Sequence, residues 1–272
     1  MSFLYLNDIM GTMNRAAISL SNEGSRIAAK LAAAWEACDV FLHAGVAELP
    51  QARRFDRLAE LSREIFPVYR RLVYIAPIGA VVRAIAPCLR HKTADPAVVA
   101  VDVGGRWAVS LLSGHEGGAN ELAIEVANVL DAEAVISTTT EAVKDLIVGV
   151  GCRRGTAGGT IVVAIREALT MARCDLARVR LLASAEIKAD EPGLWAAARE
   201  LGLPLRLVAA EEIRNTVRAF EHSDFVQDKV DLPAVAEPAA LLAGRRTRLV
   251  LPKQILHGLT VAIARESCMS LE

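Results

Sequence analysis

Short runs of aliphatic and β-branched residues alternate along the chain with Ala- and Leu-rich runs whose apolar positions recur at helical spacing. That alternation predicts an α/β fold with largely parallel sheets. A first strand is expected over residues 15–20, then Ser21-x-x-Gly24 and a helix over 25–35. Strands are expected over 39–42 and 71–76, the second running into a turn at 77–79, and a helix over 57–66 that Pro67 ends. Residues 98–102 and 107–111 read as strands joined through Gly104-Gly105, the one strong hairpin signal. Gly117-Gly118 opens a helix to about residue 130, and 134–137 reads as a strand.

The pattern restarts at a strand over 146–150, followed by a Gly-rich turn and a helix over 160–171. Strands at 179–183 and 205–208 flank a helix at 194–201, and a short helix follows at 211–215. Residues 223–233 read as loop, 238–242 as helix, and 249–251 and 259–264 as closing strands. The charged stretch from Glu141 to Asp145 separates the halves, so two α/β domains are expected, 1–143 and 144–272.

Composition narrows the possibilities. The chain has 272 residues, 53% apolar and 23% charged, which excludes a disordered chain and allows a core without disulfides. Aromatics are only 4%, so Ala, Val, Leu and Ile must build the interior. Lys plus Arg (31) balances Asp plus Glu (32), which argues against binding nucleic acid by bulk charge. The five cysteines, Cys38, Cys88, Cys152, Cys174 and Cys268, are scattered with no C-x-x-C pair, so no metal site is expected. No apolar run is long enough to span a membrane, and the N-terminus does not read as a signal peptide; a cytoplasmic location is expected.

Four segments could carry chemistry. In Ser113-Gly114-His115-Glu116-Gly117-Gly118-Ala119-Asn120-Glu121, a strand gives way to a helix. The glycines there would let a ligand approach the backbone, His115 could act as a base or hydrogen-bond a carboxylate, and Asn120 and Glu121 could position a polar group. Gly149-Val150-Gly151-Cys152-Arg153-Arg154-Gly155 is a poor dinucleotide fingerprint, because Arg154 stands where the third glycine belongs. Its guanidiniums suit carboxylates, and Cys152 reads as packed rather than nucleophilic. In Glu186-Ile187-Lys188-Ala189-Asp190-Glu191, a lysine sits among carboxylates that could transfer protons. Glu237, before Pro238, could be a buried acid, and Lys253 could contact an anion or simply be exposed. His43, His91, His222 and His257 have no motif around them, Arg83 is expected to face solvent, and Ser113 lacks the G-x-S-x-G context of a serine hydrolase.

Taken in order, LLSGHEGGANELA, VGVGCRRGT, IKADEPGL, VAEPAAL and LPKQ…LTVAIAR resemble the CbiG family, the cobalt-precorrin-5A hydrolases of anaerobic cobalamin biosynthesis. The resemblance runs from about Arg15 to Arg265, and the second half is also similar to the CobE type of protein. Long members of the family carry a middle region after a TTTE-like segment; here Thr140-Glu141 runs almost directly into Leu146. The resemblance implies a hydrolase that opens the δ-lactone of a cobalt-bound tetrapyrrole and releases acetaldehyde. It implies no cofactor of its own, since the cobalt travels with the substrate, and possible contacts with other enzymes of the pathway, but no nucleic acid and no membrane. Under it, His115, Glu191 or Glu237 would supply the base. Backbone N–H groups of Gly117, Gly118 and Gly155 would face the oxyanion, and Arg153, Arg154, Lys188 and Lys253 would hold carboxylates. A non-catalytic tetrapyrrole carrier and a nucleotide-dependent α/β enzyme remain the alternatives.

Overall fold

Strand β5, Ala97–Val101, is apolar and buried at every position, a pattern that needs a sheet covered on both faces. The structure is a computed structural model describing residues 15–216 and 234–268; His222 and the loop expected over 223–233 lie outside the described residues. The chain divides into two units, one up to Thr138 and one from Thr139. Each is built around its own sheet, so the fold is α/β with mostly parallel strands.

The first unit orders its strands β3-β2-β1-β4-β5-β6-β7. They are β1 (Arg15–Ser19), β2 (Asp39–His43), β3 (Arg53–Phe55), β4 (Arg71–Ile75), β5, β6 (Trp107–Leu112) and β7 (Glu133–Val135). Every pairing is parallel except β5 with β6. Helices α1 (Asn22–Ala34) and α4 (Ala119–Leu130) bury Leu31, Leu122 and Val126 against one face. Helices α2 (Leu58–Ile65) and α3 (Ile78–Ile85) bury Leu61, Ile65, Val81 and Ile85 against the other. The Gly104-Gly105 hairpin forms as expected. The Asp102 carboxylate holds it by accepting the N–H groups of Gly104, Arg106 and Trp107 at 3.0, 2.8 and 2.9 Å. Because β6 runs against β5, with Leu112 opposite Val98, the loop after β6 lies beside the start of β5. The loops after β1 and β4 lie at the other end of the sheet.

The second unit begins with the short helix α5 (Thr139–Ala142) and orders its strands β10-β9-β8-β12-β11. Strands β8 (Leu146–Gly151), β9 (Val179–Ala185) and β10 (Leu205–Val208) are parallel. Strand β12 (Leu259–Glu266) runs antiparallel to both β8 and β11 (Thr247–Leu256). Helices α6 (Gly158–Met171) and α7 (Pro192–Leu201) cover one face; α8 (Ala210–Asn215) and α9 (Ala236–Leu242) cover the other.

Three local expectations change. Strand β11 continues to Leu256 rather than stopping at 251, because register shifts on either side of Leu251 absorb Pro252. Its hairpin to β12 turns through His257 and Gly258, both at positive φ (49° and 79°), the signature of a type I′ turn. Where a turn was expected after Ala76, Pro77 starts helix α3; Arg83 on it is exposed, as expected. Strand β3 has no sequence signal, since only Phe55 of its three residues is buried.

Candidate functional site

In the second unit, the loops after β8 and β9 meet at the carboxyl end of the parallel strands, the usual place for ligands in such sheets. The joint is Glu191, which immediately precedes α7 and is 4% exposed. Its Oε2 accepts the N–H of Gly155 at 2.9 Å, tying the 152–157 turn to the 186–191 turn. Its Oε1 lies 3.9 Å from Lys188 Nζ and 3.8 Å from Arg154 Nε. Arg153, Arg154 and Gly155 are exposed at the turn, while Lys188 is largely covered. Arg154 and Lys188 therefore put two cationic groups beside one buried carboxylate.

Cys152 sits beneath this turn as part of the hydrophobic core. Burial raises its thiol above the ordinary value, more than Lys188 lowers it, so it is not a ready thiolate. The glycines before it serve packing. A Cβ on Gly149 would come 1.9 Å from the carbonyl oxygen of Ala236, so this strand position must be glycine for α9 to lie against it. This gives the Gly149-x-Gly151 pair a packing role in place of the phosphate cradle that a nucleotide enzyme would need.

Glu237 enters the same unit from α9, 2% exposed, and its Oε1 accepts the backbone N–H of Lys253 at 2.8 Å. It thus anchors the irregular part of β11, where Pro252 interrupts the ladder. Lys253 is half-buried there rather than fully exposed. His257 pairs with Glu167 at 2.8 Å on the surface, which suits the solvated role expected of it.

In the first unit the loop from Ser113 to Gly118 closes on itself. Ser113 has φ 59° and its carbonyl accepts the N–H groups of Gly117 and Ala119, both at 3.1 Å. The Ser113 hydroxyl is buried without a hydrogen-bond partner among the described residues. A serine in the left-handed region with an orphaned hydroxyl is strained, and strain of this kind concentrates at functional loops. The sequence flags it only through the Ser-Gly step that ends an apolar strand. His115 and Glu116 are exposed, and Lys92 pairs with Glu116 at 2.5 Å.

Several expected roles are corrected. The Gly117 N–H is engaged inside its own turn and the Gly155 N–H on Glu191, so neither is a free oxyanion donor. Asn120 is 5% exposed; its Oδ1 accepts from Ser110 at 2.8 Å and its Nδ2 donates to Thr138 at 2.9 Å. It braces α4 against the ends of β6 and β7 instead of meeting a ligand. Gly118 stands at the start of α4 with φ 82°, the conformation the turn requires. His43 accepts the Gly45 N–H through Nδ1, and His91 pairs with Thr93, both local contacts. Among the described residues no group of three or more His, Cys, Asp or Glu is placed to hold a metal, and no helix is long and apolar enough to cross a membrane.

Comparison with known proteins adds to this geometry. The family description "Cobalamin synthesis G N-terminal" matches residues 60–141, and "Cobalamin synthesis G C-terminus" matches residues 146–264. The chain is 25% identical to a cobalt-precorrin-5A hydrolase of Priestia megaterium, covering 92% of this chain and 94% of that one. That alignment extends over 352 residues, against 272 in this chain, so a stretch of the relative has no counterpart here. A cobalt-precorrin-5A hydrolase of Salmonella typhimurium (strain LT2) is also 25% identical, over 68% of this chain and 79% of its own. Protein CobE of Sinorhizobium sp is 31% identical over 49% of this chain and 88% of its own length.

Proposed function

The chain belongs to the CbiG family of cobalamin synthesis, and from that we propose that it is a cobalt-precorrin-5A hydrolase, opening the δ-lactone and releasing acetaldehyde to give cobalt-precorrin-5B. The observation that carries this reading is the end-to-end match to a relative bearing that name, 92% of this chain against 94% of the other.

The reaction needs only water as co-reactant. A base takes a proton from water as its oxygen attacks the lactone carbonyl. The ring C–O bond breaks, leaving a carboxylate and a free hydroxyl. In the second stage a base takes the hydroxyl proton, the adjacent C–C bond breaks, and acetaldehyde leaves. The electron pair passes into the conjugated macrocycle, which takes up a proton on carbon. The protein's tasks are therefore to position the substrate, move protons and stabilise the transient oxyanion.

Glu191 is the base in this reading. It is a buried carboxylate at the carboxyl end of the sheet, with one oxygen fixed by Gly155. Arg153, Arg154, Lys188 and Lys253 are the groups that would hold the substrate's carboxylates, Arg through bidentate hydrogen bonds. Glu237 positions β11 through its contact with the Lys253 backbone. His115, exposed on the first unit's loop, is the second candidate for proton transfer. The cobalt belongs to the substrate, and the chemistry calls for no resident metal.

The test is incubation of the purified protein with cobalt-precorrin-5A and measurement of acetaldehyde. Stoichiometric release is expected. Tight binding of the tetrapyrrole with no acetaldehyde would replace the hydrolase by a carrier, the reading favoured by the stretch of the relative that this chain lacks.

A further inference from the structure

Among the cavities of the first unit, two are lined by arginines that differ in one respect. The larger, of about 380 Å³, lies beside β3 and includes Arg53, Arg54 and Arg57. All three have partners. Arg53 lies 3.5 Å from Asp39, Arg57 lies 3.1 Å from Glu60, and Arg54 donates to the carbonyls of Ala44, Val46 and Ala47. Its charges are already neutralised or locally bonded.

The second cavity, of about 320 Å³, is walled by the end of α2 and the segments that lead into β4 and β5. Arg63, Arg70 and Arg90 surround it, and among the described residues their guanidiniums have no ion-pair or hydrogen-bond partner. The carboxylate in the wall, Asp95, makes no ion pair with them, although its charge offsets part of theirs. It is 8% exposed, and its two oxygens accept the backbone N–H of Arg90 at 3.0 and 3.2 Å. Tyr69, also in the wall, directs its hydroxyl to Asp39. Three arginines against one carboxylate leave the lining with an excess of positive charge, so an anion seated there is attracted. Pro67, Pro87 and Pro96 stand in the rim, and their fixed φ angles hold the hollow in shape before any ligand arrives.

The position adds a second observation. Strand β6 is reversed, so the Ser113–Gly118 loop comes to this same end of the sheet. A Cβ on Gly117 would lie 3.3 Å from the carbonyl oxygen of Asp95, and Lys92 bridges to Glu116. The loop that carries the strained Ser113 and the exposed His115 thus packs through Gly117 against Asp95 in the cavity wall.

We propose that the Arg63–Arg70–Arg90 cavity is a binding site for the carboxylate arms of the tetrapyrrole. The identity of that ligand rests on the hydrolase reading; the site's affinity for clustered carboxylates does not. The test uses the full chain with Arg70→Gln, with all three arginines changed to Gln, and with Arg57→Gln as a control in the other cavity. Binding of uroporphyrin, a tetrapyrrole bearing eight carboxylates, is followed by fluorescence, with its octamethyl ester as the uncharged counterpart. KM for cobalt-precorrin-5A is measured alongside, and circular dichroism confirms the fold.

Arg70→Gln is expected to weaken uroporphyrin binding and raise KM by roughly tenfold, and the triple change by about 100-fold or more. The ester should bind all variants alike, and Arg57→Gln should match the parent. Wild-type affinity and KM in the folded triple variant would overturn the site while leaving the hydrolase reading intact. A parent that releases no acetaldehyde, yet loses uroporphyrin binding when the arginines are removed, would overturn the hydrolase reading and leave the site standing.

Discussion

Glu191→Gln separates the two things Glu191 can do. As a tether, it accepts the Gly155 N–H at 2.9 Å and joins two turns. An amide oxygen accepts that bond as well, so Gln keeps the tether and loses only the charge. The contact with Arg154 is worth little, because that side chain is 92% exposed and screened by water. Lys188 is more covered, and at 3.9 Å its attraction is roughly 4 kcal/mol gross at an effective dielectric near 20, most of it offset by desolvation. The net stability cost of the change is therefore about 1–2 kcal/mol, a fall in melting temperature of only a few degrees. As a base, Gln cannot accept a proton, and losing a positioned base costs about 10²–10⁴ in rate. The expected result is a kcat lower by that factor on a nearly intact fold. Acetaldehyde release can be coupled to alcohol dehydrogenase and read as NADH loss, with melting followed by circular dichroism. If Glu191→Gln kept kcat within a few-fold of the parent, Glu191 would be a tether alone and the proton would go elsewhere.

Other changes test the fold and the chemistry around it. Gly149→Ala would set a methyl 1.9 Å from the Ala236 carbonyl oxygen and should cost about 3 kcal/mol or more by thermal melting. Gly155→Ala, with open space around it but φ 76°, should cost only about 1–2 kcal/mol; similar losses in the two variants would count against the packing role of Gly149. Cys152→Ser should retain acetaldehyde release, and alkylation of Cys152 should stay slow at neutral pH, since burial raises its thiol; rapid inactivation by iodoacetamide at that residue would contradict both. Asp102 is raised by partial burial but lowered more by the N–H groups of Trp107, Arg106 and Gly104, giving a net lowering. A folded-state value below the unfolded one stabilises above the unfolded value and is lost as pH falls through the folded one. The destabilisation caused by Asp102→Ala should therefore be full at neutral pH and shrink in acid; denaturant melts showing no pH dependence would refute this.

The fold was legible where a single periodicity governs a stretch. Strands β4, β5 and β8 are near-continuous aliphatic runs, as strands covered on both faces must be. What escaped were elements whose signal lies in geometry rather than hydropathy. Strand β3 buries one residue in three, and β11 carries a proline that reads as a break until the register shift around it is seen. The His257-Gly258 turn has no sequence signal, because histidine is an unusual first residue for a turn that needs two positive φ angles.

The site was legible as residue types and not as contacts. Arg153 and Arg154 in one segment and Lys188 and Glu191 in another could be picked out as charged groups, but only coordinates place the Gly155 N–H on Glu191 and remove it from the oxyanion. Asn120 looked like a ligand group because a polar residue at a helix start often is one; its partners, Ser110 and Thr138, lie on other elements that sequence cannot align with it. Arg63, Arg70 and Arg90 show the converse. They belong to no motif, and only the packing of the end of α2 against the proline-bounded segments before β4 and β5 brings them around one hollow. A charge becomes informative when its neighbours fail to neutralise it. That is a property of the folded wall, and it is why the paired arginines of the larger cavity and the unpaired ones of the smaller cannot be told apart by composition.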